Sequence, residues 1–287
     1  MKTCPVMLLL VILFFPATGI AEPGDILETF SAGCINWTQG FLESQGTAAP
    51  DAVKGETSAG DQNILLNVSR NHALKNMLSV MLKTDIRADL SVGDVAEKNE
   101  IMMAQIETLA KSAKVVRQEY LSDGTVEISL RMDLYGGFSQ LVLPEEIKQI
   151  EPIKTVSSAA SPDPETDAAE GANQEIFTGL VVDARGTKIK PCMAPLIVDE
   201  NGKEVYGAMF VSREFAVQKG MSKYVRDIKA AQADNSVANH PLTVKGLKAD
   251  PRIPSKIIIS NADASKIRSA SEHLSFLKKC QVVIVMD

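Results

Sequence analysis

Residues 114–134, KVVRQEYLSDGTVEISLRMDL, decide the fold class of the first half of the chain. From Thr125 onward, apolar residues alternate strictly with polar ones, which is the period of a half-buried β-strand. The apolar members are Val126, Ile128, Leu130, Met132 and Leu134. Asp123-Gly124 is a strong turn signal between two such runs. The stretch therefore predicts a hairpin, with strands over about 114–121 and 125–134.

Two amphipathic helices are predicted before this hairpin. Apolar residues recur at helical spacing over about 62–83 and again over about 98–112. The first series comprises Leu66, Ala73, Leu74, Met77, Leu78 and Met81. Residues 35–42 predict an opening strand, and the stretch 46–60, rich in Gly, Ala and Pro, predicts a loop. Helices combined with a hairpin indicate an α+β module over residues 30–150.

A break in composition follows this module. Residues 151–175 carry almost no large apolar side chain after Val156. Such a segment cannot bury enough apolar surface to offset the entropy lost on ordering, so it predicts a disordered linker. The linker divides the chain into a first domain over 30–150 and a second over 176–287.

Strands and helices are also mixed in residues 176–287. Short apolar runs predict strands, and Asn201-Gly202 predicts a hairpin between two of them. The predicted strands cover residues 177–184, 193–198, 204–211, 242–247, 256–259 and 282–286. Helices are predicted over about 213–231 and 262–276, the second capped by Ser260. The sequence therefore predicts an α+β fold of two small mixed α/β domains.

The N-terminus has the pattern of a secretory signal peptide over residues 1–21. Lys2 precedes an unbroken apolar run, Val6–Phe15, and small residues follow it, which predicts cleavage between Ala21 and Glu22. Ten residues form a helix of about 15 Å, half of the ~30 Å hydrocarbon core, so the run is too short to span a bilayer. The mature chain is expected in the periplasm, soluble or peripherally associated with the outer membrane.

Bulk composition excludes some classes of partner. The formal net charge is −6, and no basic cluster accompanies it, which argues against nucleic acid as a partner. No second long apolar stretch follows the signal peptide, so no transmembrane segment is expected in the mature chain. Cys34 follows three small residues, but Asp25 and Glu28 separate it from the apolar leader, which argues against lipidation there.

The mature chain keeps three cysteines, an odd number in an oxidising compartment. Cys192 and Cys280 lie in the same half and form a candidate disulfide, which leaves Cys34 unpaired. The alternative is that all three are buried thiols that pack as small hydrophobic residues.

No motif for catalysis, cofactor binding or metal binding is recognisable, and we predict none. Arg185, Asp199 and Tyr206 form a candidate ligand or interface region in the second half. Asp183 and Asp199 follow two strands, so their carboxylates are a candidate acid/base pair if they gather at one edge. The alternative is that they are turn residues chosen for local hydrogen bonds.

The order of motifs in the first half resembles a known family. Residues 33–37, GCINW, precede an Ala/Gly loop, and residues 72–78, HALKNML, lie in the first helix. Residues 114–116 and 123–136 complete the order. It resembles the LPP-twenty lipoprotein family and related FlgP-like and FlgT-like modules of flagellar accessory proteins. The resemblance covers residues 33–138.

That resemblance implies a small α+β module near the outer membrane that takes part in ring or disk assembly. It brings no catalytic residue and no cofactor. We therefore expect a non-enzymatic cell-envelope protein that associates with itself or with envelope or flagellar proteins. The alternative functions are a periplasmic module that binds a small ligand or cell-wall glycan, and a hydrolase that uses the acidic strand ends.

Overall fold

The computed structural model describes residues 24–50, 62–147, 176–237, 239–269 and 271–287. The signal peptide over 1–21 and the linker over 151–175 lie outside these residues. Helices and strands are mixed in both halves, which confirms the α+β class.

The first half is an antiparallel sheet in the order β1-β2-β3-β7-β6. Its strands are β1 Leu27–Phe30, β2 Gly33–Asn36, β3 Phe41–Ala48, β6 Lys114–Tyr120 and β7 Val126–Asp133. Two short strands, β4 Asp85–Arg87 and β5 Leu90–Ser91, pair separately. The helices are α1 Gln62–Lys83, α2 Val92–Ala96, α3 Glu100–Ala110 and α4 Gly137–Val142. The predicted hairpin is confirmed as β6 and β7, and the two long predicted helices as α1 and α3.

The helix α1 packs closely on the strand β3. The hydroxyl of Ser69 donates to the carbonyl oxygen of Gly46 at 2.7 Å, and that of Ser44 donates to the carbonyl oxygen of Ala73 at 2.9 Å. Because β3 runs on to Ala48, the loop predicted from Gly46 is wrong at its start. The residues 51–60 of that loop lie outside the described part of the chain.

The second half is a seven-stranded mixed sheet in the order β10-β9-β13-β12-β8-β14-β11. Its strands are β8 Gly179–Asp183, β9 Leu196–Val198, β10 Glu204–Tyr206, β11 Lys223–Val225, β12 Pro241–Ala249, β13 Lys256–Ile259 and β14 Val282–Val285. Its helices are α5 Arg213–Lys219, α6 Ile228–Gln232, α7 Asn261–Arg268 and α8 Ser271–Lys278. All four residues of β14 are buried, as expected for an interior strand without alternation.

Two helix predictions in this half are wrong in length. The helix predicted over 213–231 ends at Lys219, with Gly220 as its C-cap. The chain then forms β11, which pairs in parallel with β14, before α6 begins. The helix predicted over 262–276 is divided into α7 and α8. Its predicted cap is confirmed, because the Ser260 side chain accepts a hydrogen bond from the backbone of Asp263.

The two halves share one hydrophobic core. The prediction of a linker over residues 151–175 left open whether the halves are in contact. Buried side chains from both halves belong to a single continuous cluster. The Trp37 ring meets the Tyr224 ring edge-on at 6.0 Å between centroids. Backbone bonds also cross the interface, such as Met193 N–H to the carbonyl oxygen of Asp85 at 2.9 Å. Across the described residues, no helix combines the length and apolar character needed to cross a bilayer.

Candidate functional site

The structure does not bring Arg185, Asp199 and Tyr206 together. Arg185 forms a two-pronged ion pair with Asp183, with both nitrogen–oxygen distances at 2.8 Å. Asp199 is buried, and Arg268 donates to it at 3.0 Å. Tyr206 is fully buried, and its hydroxyl donates to the carbonyl oxygen of Met221. Asp199 and Tyr206 lie in the hairpin of β9 and β10, whereas Arg185 follows β8, three strands away, so the three residues do not form one ligand region.

The proposed gathering of Asp183 and Asp199 is also wrong, and the strand directions give the reason. The strand β8 is parallel to β12, β12 is antiparallel to β13, and β13 is parallel to β9. The strands β8 and β9 therefore run in opposite directions. Their carboxyl ends lie at opposite ends of the sheet along the strand axis. They are also three strand spacings apart, roughly 14 Å. Asp199 accepts hydrogen bonds from the backbone of Asn201 and Lys203, which is the role of a turn residue.

The disulfide between Cys192 and Cys280 is not formed, and Cys34 is also a free thiol. Each of the two buried sulphurs lies against a different tyrosine, since the Cys192 sulphur is 3.9 Å from the Tyr224 hydroxyl while Cys280 contacts Tyr206. Burial raises the pKa of Cys192 to about 12 and that of Cys280 to about 11. Both thiols are therefore protonated at neutral pH and are poor nucleophiles.

A polar cleft of about 600 Å³ opens between the two halves. It is lined by Asp25, Thr38, Gln39 and Tyr135 of the first half and by Lys219, Ser222, Lys223, Asp234 and Ser236 of the second, among others. The turn after β2 supplies Thr38 and Gln39, and the segment around β11 supplies Ser222 and Lys223. The cleft exists because the two halves are packed together, and no local sequence pattern indicates it.

The cleft is polar because it contains an ion pair and two buried hydroxyl groups. Lys223 contacts Asp234 at 2.5 Å. Burial would raise the pKa of Asp234, but hydrogen bonds from Lys223 and Ser236 outweigh it and the pKa is lowered. The buried hydroxyl oxygens of Ser222 and Ser236 have no hydrogen-bond partner within 3.5 Å, although each lies close to a group that can form one, Tyr224 and Asp234 respectively. Within the described residues, no group of three His, Cys, Asp or Glu side chains is placed to hold a metal ion. The cleft offers hydrogen-bonding groups to a polar molecule.

The second candidate site is the outer edge of β6, the last strand of the first sheet. Among the described residues, no strand pairs with this edge. Four apolar side chains on or next to it are exposed: Val115, Val116, Tyr120 and Leu121. An edge strand normally carries charge to prevent pairing. In β6, Arg117 and Glu119 form an ion pair at 2.6 Å, which leaves a net charge of +1 from Lys114 at the start of the strand. The edge is therefore open to another strand.

The direction of the backbone groups along β6 follows from the pairing with β7. Leu121 donates its N–H to the carbonyl oxygen of Thr125 at 2.9 Å, and Glu119 stands opposite Glu127. Because antiparallel residues alternate between bonded and non-bonded pairs, Arg117, Glu119 and Leu121 direct their backbone groups toward β7. Gln118 and Tyr120 direct theirs outward. The sequence predicted β6 as a strand but gave no sign that it would be an edge.

Comparison with known proteins bears on the second half alone. Residues 179–287, which contain β8–β14, match the family model described as Treponema pallidum Tp0624, second domain. No curated protein matches the chain significantly. The second half is thus similar to the second domain of that Treponema protein, and the match extends to no part of the β6 edge.

Proposed function

We propose that this protein is a non-enzymatic structural component of the cell envelope that works by assembling with itself. The observation that carries the proposal is the open β6 edge, with Val116 47% and Tyr120 52% exposed. A seven-residue edge strand with exposed apolar side chains and a net charge of only +1 can pair with another strand. The same half carries the resemblance to the LPP-twenty, FlgP-like and FlgT-like modules, which implies assembly of rings or disks.

The same proposal includes the location of the protein in the cell, which is the periplasm close to the outer membrane. The leader over residues 1–21 supports export to the periplasm, and the family resemblance supports a position near the outer membrane. A flagellum-associated disk or ring is the apparatus that the resemblance favours. The partners on this account are further copies of the chain, together with envelope or flagellar proteins.

Light scattering on the purified protein tests the proposal across a wide range of concentrations. We expect the apparent mass to rise with concentration, and crosslinking in intact cells to recover the chain with itself or with an envelope protein. A strict monomer at every concentration, with no envelope partner on crosslinking, would contradict the proposed function.

A second candidate function is the binding of a small polar ligand or cell-wall glycan fragment in the cleft between the halves. The specific observation that favours it is the pair of buried hydroxyls of Ser222 and Ser236, neither of which has a hydrogen-bond partner within 3.5 Å. Buried hydroxyls are usually hydrogen-bonded, and a ligand could supply the missing partners. A thermal-shift screen with N-acetylglucosamine oligomers and peptidoglycan fragments tests this function, and a screen without any shift counts against it.

Replacing Ser222 with alanine is expected to leave the free energy of unfolding unchanged or to raise it by up to about 1 kcal/mol, because the buried hydroxyl that it removes has no hydrogen-bond partner within 3.5 Å. The matched control is Ser139→Ala, since the buried Ser139 hydroxyl donates to the carbonyl oxygen of Leu134 at 2.7 Å. That control is expected to lose about 1 kcal/mol. Urea unfolding of the two variants measures both values. A loss of stability in Ser222→Ala equal to that of the control would show that its hydroxyl is bonded within the fold.

A further inference from the structure

We propose that the partner of the β6 edge is the β6 edge of a second copy, paired antiparallel about a two-fold axis that passes through Gln118. This inference rests on the proposed function, which it makes more specific by naming the partner surface and its register. The resulting dimer would join two five-stranded sheets into one continuous ten-stranded sheet.

The backbone restricts the possible registers. In an antiparallel ladder, residues with outward backbone groups must meet residues of the same kind in the partner strand. Gln118 and Tyr120 are the outward residues of the regular part of β6, which follows a shift of register between Val115 and Arg117. A two-fold axis near the centre of the strand must therefore pass through a residue. The candidates are Arg117, Gln118 and Glu119.

Charge selects among these three registers. An axis through Arg117 places two guanidinium groups opposite each other, and an axis through Glu119 places two carboxylates opposite each other. Like charges directly opposite one another destabilise a strand pair. An axis through Gln118 instead sets each Arg117 opposite Glu119 of the other copy, so that the pair contains two contacts between opposite charges.

Apolar contacts favour the same register. With Gln118 on the axis, Tyr120 of each copy lies beside Val116 of the other, at the shift of register in β6, and Leu121 lies toward Val115. All four of these side chains are among the large apolar residues that the single chain leaves exposed. Pairs of aromatic and β-branched residues across strands are stabilising. One register thus pairs apolar residues with apolar residues and positive charge with negative charge.

Disulfide trapping of variants of the full chain that each carry one added cysteine tests this register. In the proposed dimer the two Gln118 Cα atoms form a hydrogen-bonded pair about 5.5 Å apart, a separation that a disulfide can span. Under mild oxidation we expect Gln118→Cys to form covalent dimers with at least ten times the yield of Arg117→Cys or Glu119→Cys. Those two variants should crosslink with each other when mixed. The unsubstituted protein, which retains its native cysteines, is the control.

The outcomes separate this inference from the proposed function. Association of the chain without crosslinking at Gln118, or with better crosslinking of Arg117→Cys or Glu119→Cys alone, would overturn the register while leaving assembly in place. A chain that remains monomeric at every concentration and has no envelope partner would overturn both.

Discussion

Replacing Gly46 with alanine is expected to lower the free energy of unfolding by about 3 kcal/mol or more. A Cβ atom at this position would overlap the carbonyl oxygen of Ser69 and the amide nitrogen of Ala73, and would lie 2.9 Å from the Cα atom of Ala73. These are backbone atoms of α1, so no side-chain rotation relieves the overlap. The helix would have to move away from β3, which loosens the core beneath it.

Urea unfolding followed by circular dichroism measures this loss. The matched control is Gly137→Ala, where the added Cβ would meet only Leu109 at an ordinary 3.7 Å. That variant should change the free energy of unfolding by less than about 1 kcal/mol, since alanine favours a helix. Equal stability of Gly46→Ala and Gly137→Ala would show that α1 does not approach β3 as closely as described.

Replacing Gly220 with alanine is expected to cost about 3 kcal/mol by loosening the interface between the halves. Gly220 has a φ of +81°, which costs an alanine about 1 kcal/mol, and its added Cβ would lie 2.5 Å from the ring of Tyr135. Tyr135 belongs to the first half and Gly220 to the second, so the overlap pushes the halves apart. Urea unfolding followed by the emission of Trp37, the single tryptophan, measures the loss where the halves meet.

The control for this prediction is Gly186→Ala. Gly186 has a similar φ of +77°, but its added Cβ would have no neighbour within 4 Å. The control therefore carries the backbone cost of about 1 kcal/mol without the overlap. If Gly186→Ala and Gly220→Ala lose the same amount, Tyr135 does not fill the space next to Gly220.

Local periodicity accounts for the part of the fold that was predicted correctly. The alternation from Thr125 and the helical spacing from Leu66 identified β7 and α1, because both patterns lie within one element. Gly46 was assigned to a loop because glycine is common in loops. Its place in β3 depends instead on the small residues Ser69 and Ala73, which allow α1 to approach. That contact joins distant parts of the chain, so no short window contains it.

The candidate sites were harder to predict for the same reason. The hairpin of β6 and β7 was predicted, but β6 became the edge only because β3 pairs with the other side of β7. The directions of β8 and β9 depend on two intervening strands, so the positions of Asp183 and Asp199 could not follow from local sequence. The cleft is lined by residues of both halves, so it depends on their packing, which no composition pattern indicates.

Sedimentation velocity of the Gln118→Pro variant tests most directly whether the chain assembles through its β6 edge. The N–H of Gln118 faces away from β7, so proline there removes no backbone hydrogen bond of the single chain but removes the central bonds of the paired edges. Proline and alanine at this position both remove the hydrogen bond from the Gln118 side chain to the Tyr120 hydroxyl. Gln118→Ala, which keeps that N–H, is the control and should assemble like the unsubstituted protein. We predict that Gln118→Pro stays folded, as reported by Trp37 emission, and that its dimer dissociates at least tenfold more readily. A folded Gln118→Pro variant that assembles as tightly as the control would contradict the account.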